Sequence, residues 1–281
     1  MNENHSQILL DSAVAALNSG DSVLGASYLY DLWKHEPSIL KSNAIRISHL
    51  LTIGGYWDAI TSLLPKGTNS LVETGWLNSL TTSRPVNAAN QPIPWYTYPS
   101  IEFIEPKVKR EWNVFEWGSG NSTLWWSQRV NRVISVDHDP EWFRSISNQM
   151  PDNVSIKLIT DKNSYVQALE QSVSEINGAL LDVVVIDGEW RNECAKQAIN
   201  FLSPEGVIIF DNTDRIMFRE GTAHLDTCGL FRIDFYGMIA SYLYKNCTSV
   251  FMNTPAFLRS GALPSDHRTS LGPTCSQALG E

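Results

Sequence analysis

The stretch from Val114 to Thr123, VFEWGSGNST, sets an acid, Glu116, two residues before the first of two glycines, Gly118 and Gly120, and follows them with small polar residues. Glycines let a backbone approach a ligand closely and reach positive φ. A loop that cradles a pyrophosphate uses the spacing G-x-G-x-x-G and offers amides at a helix N-terminus to the anion. Here the third position of that spacing is Thr123, and a carboxylate sits poorly beside a pyrophosphate. It suits a ligand that carries positive charge. Four further acids stand at comparable places: Asp137 ends RVISVD, Asp161 follows VSIKLIT, Asp187 ends LDVVVID and Asp211 ends GVIIFD. Any one of them reads as a cap of the next helix or turn. Five acids gathered on one rim repel each other and lose hydration. Such a rim implies a shared task, the binding of hydroxyls, amines, a cation or a metal.

Those acids punctuate a regular alternation. The strand-like runs NVFEW, RVISVD, VSIKLIT, LDVVVID and GVIIFD are separated by the helical runs STLWWSQRV, PEWFRSISNQM, SYVQALEQSVSEI and NECAKQAINFL. The alternation predicts an α/β fold, a parallel sheet covered on both faces, with ligands at the carboxyl ends of the strands. Asp139 and Pro140 read as the N-cap and first residue of a helix. FRIDFYGMI and CTSVFMN read as an antiparallel pair at one edge. Ahead of this region, ILLDSAVAALNSGD and SVLGASYLYDLWKHEP carry apolar residues at helical spacing. Gly20 and Gly54 lie 34 residues apart, as do Gly25 and Ala59, and Pro37 falls where a helical hairpin would end. That period is similar to a tetratricopeptide-type repeat; a few irregular helices are the competing reading. The expected division is a helical region over 1–85, an α/β domain over 86–254 and a tail over 255–281. The tail shows no periodicity and reads as mobile or as a partner-binding arm.

The chain has 281 residues, 43% of them hydrophobic, enough to bury a sizeable core. Its net charge of −9 argues against nucleic acid as the main partner, since phosphate contacts need clustered Lys and Arg. The four cysteines have no metal-ligand spacing and read as reduced thiols. No apolar run reaches the ~18 residues of a membrane span, and the N-terminus has no basic leader. The expectation is a cytoplasmic protein with no membrane partner.

FEWGSGNST, followed by Asp137 in VISVDHD and by VVVIDG, LSPEGVIIFDN and RIDFYG…TSVF, resembles the class I S-adenosylmethionine (SAM)-dependent methyltransferases over residues 95–253. Ser122 stands where that family's first motif carries its last glycine. SAM agrees with the charge argument, because it has no phosphate and carries a sulfonium and an α-ammonium. The resemblance implies a doubly wound, mostly parallel seven-stranded sheet in the order 3-2-1-4-5-7-6. The resulting reading is methyl transfer to a small-molecule acceptor of sugar or aromatic natural-product type, at oxygen rather than nitrogen. The resemblance assigns Glu116, Gly118, Ser119, Gly120, Asn121 and Ser122 to the methionine end of the cofactor and Asp137 to the ribose hydroxyls. His138 and Asp161 go to the adenine, and Asp187 to the neighbourhood of the methyl group.

A hydroxyl acceptor must lose its proton. A general base can take it, with Asp187 and His224 as candidates, or a divalent metal can acidify it. FDNT resembles the Asp-Asn-Thr of caffeoyl-CoA and catechol-type O-methyltransferases, which implies Mg²⁺ held by Asp187, Asp211 and Asn212. Trp95, Tyr96, Tyr98, Trp190 and Arg191, with Arg215, are candidates for holding the acceptor; core packing and solvated surface are the competing readings. Two other function classes stay open. One is an NAD-type oxidoreductase on a similar sheet. The other is a non-catalytic interaction protein with a degenerate SAM domain, whose N-terminal helices bind a protein partner or a second copy of the chain.

Overall fold

The computed structural model describes residues 3–35, 70–242, 244–259, 263–274 and 277. The chain divides into two units, Met1–Leu71 with Leu80–Ser83, and Val72–Ser79 with Arg84–Glu281. In the first unit α1 (Glu3–Asn18) turns back into α2 (Ser22–His35). Gly20 makes the turn at φ +83, a conformation in which a side chain is strained, and the Asp21 carboxylate accepts from the Leu24 amide at 3.1 Å. Leu10, Ala13, Leu17 and Leu32 are buried in this unit. Pro37, Gly54 and Ala59, on which the 34-residue period also rests, lie outside the described residues.

Two short helices, α3 (Ser70–Glu73) and α4 (Trp76–Thr82), precede α5 (Tyr98–Ile104). The alternation read from the sequence then follows in full. It runs β1 (Asn113–Trp117), α6 (Asn121–Ser127), β2 (Arg132–Asp137), α7 (Pro140–Ile146), β3 (Val154–Leu158), α8 (Lys162–Glu175), β4 (Leu181–Ile186), α9 (Arg191–Ala198), β5 (Leu202–Asp211), α10 (Arg219–Thr227), β6 (Phe231–Gly237) and β7 (Asn246–Met252). The strands form one seven-stranded sheet in the order β3-β2-β1-β4-β5-β7-β6. β1 to β5 are parallel, and β7 runs antiparallel to both β5 and β6. Asp139 caps α7 as expected, accepting from the amides of Glu141 and Trp142.

The strand sequences explain the layering. Side chains alternate between faces with period two, and both faces here are covered, so the inner strands are apolar at nearly every position. Val114, Val133, Val183, Val185, Val207 and Ile209 pack on one face with Ile101 and Ile104 of α5 and Trp125 and Trp126 of α6. Phe115, Trp117, Ile134, Val136, Val184, Ile186, Ile208 and Phe210 pack on the other with side chains of α8, α9 and α10. Each such side chain stabilises the fold by roughly 1.5–3 kcal/mol when fully buried, so a one-residue slip of any strand is heavily penalised.

The reading of 255–281 as a mobile tail is corrected where the structure describes it. Phe257 and Leu271 are buried against the first face. The Glu105 carboxylate accepts from the Ser270 amide at 2.9 Å and its hydroxyl at 2.7 Å, and His267 pairs with Glu102 at 2.5 Å. The segment lacks periodicity because it is built of short 3₁₀ turns, Pro255–Leu258 and Pro264–Asp266, rather than a helix or strand. Among the described residues no helix is long and apolar enough to cross a membrane.

Candidate functional site

Register decides where the acids point. Val114, Val133, Val183, Val185, Val207 and Ile209 line one face of the sheet, and period two carries that face on to Glu116, Asp137, Asp187 and Asp211. Four of the five acids therefore share one face of the carboxyl rim. Glu116 is fully buried, Asp137 is 4% exposed and Asp211 is 3% exposed. The Asp187 side chain is the most open of the four, at 21%.

The glycine loop is tied to two of them. Asp137 accepts from the Ser119 amide through Oδ2 at 2.9 Å and from the Asp139 amide through Oδ1 at 3.0 Å. Each carboxylate oxygen keeps a further acceptor direction. Glu116 Oε2 accepts from the hydroxyls of Thr123 and Ser135, while Glu116 Oε1 is buried with no hydrogen-bond partner. Burial pushes the Glu116 carboxyl up to about 8, and the three nearby hydroxyls and the Asp187 charge are smaller influences. Ser119 and Ser135 hydroxyls meet at 2.8 Å, and Ser122 is buried. Trp142 covers the loop, its indole donating to the Ser119 carbonyl at 2.6 Å. Gly118 has φ +91, and a Cβ there would stand 2.8 Å from the Gly188 backbone, whereas a Cβ on Gly120 meets only Trp142, at 3.6 Å. Gly118 thus lets two loops touch, and Gly120 leaves open backbone above the rim. Gly118→Ala is expected to destabilise the domain by about 1–3 kcal/mol in chemical denaturation, with a matching loss of ligand affinity.

Asp187 and Asp211 flank an arginine. Arg191 Nη2 lies 2.9 Å from Asp187 Oδ1 and Nη1 lies 3.4 Å from Asn212 Oδ1. Burial raises both carboxyls above the ordinary range, and the Arg191 charge opposes the rise at each. Asp211 also accepts from Thr248 at 2.6 Å. The reading of Asp187, Asp211 and Asn212 as Mg²⁺ ligands is therefore corrected: a guanidinium stands among them and takes up Asp187 Oδ1 and Asn212 Oδ1. Arg191 is equally corrected as a residue free to grip an acceptor, since all three of its guanidinium nitrogens are engaged within the protein.

The remaining candidates separate. His138 and Trp190 meet edge to face at 5.9 Å, and both contact Tyr165. Trp190 has φ +47, a rare and strained conformation for a bulky residue. Tyr96 is buried, with its hydroxyl 3.5 Å from the Trp126 indole nitrogen. Burial, then the charges of Glu116, Asp187 and Asp211, hold its phenol well above the usual range. Trp95 donates to the Ala240 carbonyl at 2.9 Å, and burial pushes the Tyr98 phenol up to about 12. These two are built into the packing around β6 and β7 rather than offered to a ligand. Asn121 donates to the Pro85 carbonyl at 2.7 Å. Asp161 is exposed and caps α8 through the Ser164 amide. Arg215 is exposed, and its charge, with that of Arg191, draws the Asp187 carboxyl down. His224 is corrected as a base: it lies in the last turn of α10, which runs back from the rim, and its ring meets Cys228 at 3.7 Å. Sequence reasoning missed Ser135, Trp142, Tyr165 and Thr248. Ser135 was open to discovery, because it stands directly across from Glu116 in register.

No family model matches the chain, and no curated protein matches it. Solved structures do. Precorrin-6y C5,15-methyltransferase from Geobacter metallireducens GS-15 is similar over 55% of this chain and 87% of that one, at 12% identity and a TM-score of 0.43. Precorrin 8W decarboxylase from Methanobacterium thermoautotrophicum is similar over 60% and 96%, at 17% identity and a TM-score of 0.40. N-methyltransferase NodS from Bradyrhizobium japonicum WM9, in complex with S-adenosyl-L-homocysteine (SAH), is similar over 54% and 84%, at 15% identity and a TM-score of 0.38. Likeness at this level carries no argument about activity, and the fold rests on the observed strand order. The chain has the doubly wound, mostly parallel seven-stranded sheet in the order expected from its sequence. In that fold the rim built here, with four acids beside an open glycine loop, lies at the carboxyl ends of the strands, where such sheets bind ligands.

Proposed function

We propose that this protein is a SAM-dependent methyltransferase acting on a hydroxyl of a small-molecule acceptor. The observation that carries the reading is Glu116. Its Oε1 is buried without a partner, and its carboxyl is held near neutrality at pH 7 only because burial raises it to about 8. A cationic ligand group close by would ionise it and complete its coordination. Asp137 supplies the complementary feature, two carboxylate oxygens with acceptor directions left over for a pair of vicinal hydroxyls. A ligand with an ammonium and a ribose matches both, and a pyrophosphate matches neither.

When bound, SAM supplies a methyl group already activated by its sulfonium. The chain's own residues then have three tasks. Glu116, Ser119 and Gly120 hold the amino-acid end, and Asp137 with the His138–Trp190 pair holds the nucleoside end. Trp190 thereby belongs with the cofactor residues rather than with the acceptor. Asp187, where the Arg191 charge opposes the rise that burial imposes, is the rim carboxylate open to a bound acceptor and takes the hydroxyl proton. Tyr96 borders the same space, and Arg215 is available to an anionic group on the acceptor. Alignment of this kind supplies up to about 7–11 kcal/mol in favourable cases.

SAM and SAH, titrated in separate melts, are expected to raise the melting temperature by about 5–11 °C at a hundred times their Kd, and NAD to leave it unchanged. A shift with NAD and none with SAH would replace the reading by a dinucleotide-dependent one.

A further inference from the structure

Every donor of the Arg191 guanidinium ends on the carboxyl edge of β4 or β5. Nε donates to the Gly188 carbonyl at 2.8 Å. Nη2 donates to the Asp187 carbonyl at 2.8 Å and pairs with Asp187 Oδ1 at 2.9 Å. Nη1 donates to the Asp211 carbonyl at 2.8 Å and reaches Asn212 Oδ1 at 3.4 Å. All three guanidinium nitrogens are thus engaged, in four hydrogen bonds and one ion pair. The side chain is 11% exposed, and the Phe218 ring stands 4.8 Å from the guanidinium carbon.

The polar contacts of this cation are all with oxygens: one carboxylate, one amide and three backbone carbonyls. That is the donor set a hard divalent ion takes. Two rim acids brought this close need a positive charge between them, because burial penalises both anions. A second cation in the same space would meet the guanidinium at short range in a site with little water to screen it.

We propose that Arg191 is the resident cation of the reactive rim, standing where a divalent ion would otherwise bind, so that the chain works without a metal. Loss of the Arg191 side chain converts Asp187, Asp211 and Asn212 into a divalent-cation site. The inference goes beyond the methyltransferase reading, and neither SAM nor an acceptor enters its test.

The test is titration of the full chain with Mn²⁺, followed by the paramagnetic signal of the free ion. Wild type and Arg191→Lys, which keeps one positive charge, are expected to show no saturable binding up to about 1 mM. Arg191→Ala and Arg191→Gln are expected to bind one ion with a Kd of about 10⁻⁴–10⁻³ M. Adding Asp187→Asn to Arg191→Ala should abolish that binding. Ca²⁺ should raise the melting temperature of Arg191→Ala by about 3–6 °C at ten times its Kd. If neither neutral variant folds alone, recovery of a cooperative transition in Ca²⁺ supports the proposal, and failure to recover overturns it. Folded neutral variants that bind no ion would also overturn it, as would a wild-type Mn²⁺ site that Asp187→Asn removes.

Discussion

Asp137→Ala is expected to weaken SAH binding by about 10²–10⁴-fold. A hydrogen bond to a charged acceptor contributes about 1.5–3 kcal/mol, and the proposed role of Asp137 is to accept two from the ribose. The loss of affinity should exceed what general loosening of the loop can explain. Asp137 also ties down the amides of Ser119 and Asp139, so the alanine variant removes an anchor as well as a ligand. Asp137→Asn separates the effects. It keeps an oxygen for one amide but surrenders the charge and one acceptor, and it is expected to fall between wild type and alanine. Calorimetric titration with SAH, run beside thermal melts of each variant, reads both quantities. A folded Asp137→Ala protein with wild-type SAH affinity would dismantle the assignment of this rim.

Glu116→Gln is expected to stabilise the unliganded protein at alkaline pH and to damage cofactor binding. The Glu116 carboxyl moves from its ordinary value of 4.5 to about 8 in the folded state. The folded chain therefore binds the proton more tightly than the unfolded chain. Stability from this group is fully present below about pH 4.5, and it is lost as pH rises through about 8. A difference of this size corresponds to about 3–6 kcal/mol. Glutamine stays neutral throughout, so the variant and wild type should be close in stability near pH 4.5 and diverge to about that extent above pH 8. The raised carboxyls of Asp187 and Asp211 pull in the same direction, but they are common to both proteins and cancel in the difference. Urea denaturation across that pH range measures it. Parallel curves with a constant offset would mean that Glu116 is ionised in the unliganded protein.

The same residue links pH to binding. An ammonium that approaches Glu116 Oε1 favours the ionised carboxyl, so SAM should displace close to one proton from wild type near pH 7 and none from Glu116→Gln. Calorimetry in buffers of different ionisation enthalpy counts that proton. Asp137→Ala and Glu116→Gln thus probe opposite ends of one ligand by independent readouts, and a ligand that senses only one of them is not SAM.

Much of this molecule is legible in its residues. Strands buried on both faces must be apolar almost without interruption, so DVVVID and GVIIFD announce themselves, and the acid ending each run marks the rim. Asp139–Pro140 marks the start of α7 by local chemistry alone. The candidate site was legible to the extent that it depends on period two, since Glu116, Asp137, Asp187 and Asp211 fall on one face by parity once the strands lie in parallel register. What parity cannot supply is the company each acid keeps. Arg191 reads as a loose surface arginine because its acceptors come from two stretches 24 residues apart, Asp187–Gly188 and Asp211–Asn212. Only the pairing of β4 with β5 brings them within reach of one guanidinium, which stands among the residues that FDNT suggested for a metal. His224 fails as a base for a similar reason: residue type admits it, but the direction of α10 carries it away from the rim. The tail after residue 254 has no periodic signature, yet Phe257 and Leu271 are held by a surface that exists only once the sheet has formed. The chain's own residues therefore determined the order of elements and the charge of the rim, because burial and alternation are local demands. The tertiary structure alone decided which charges are neutralised from within, because that depends on distances between segments remote along the chain.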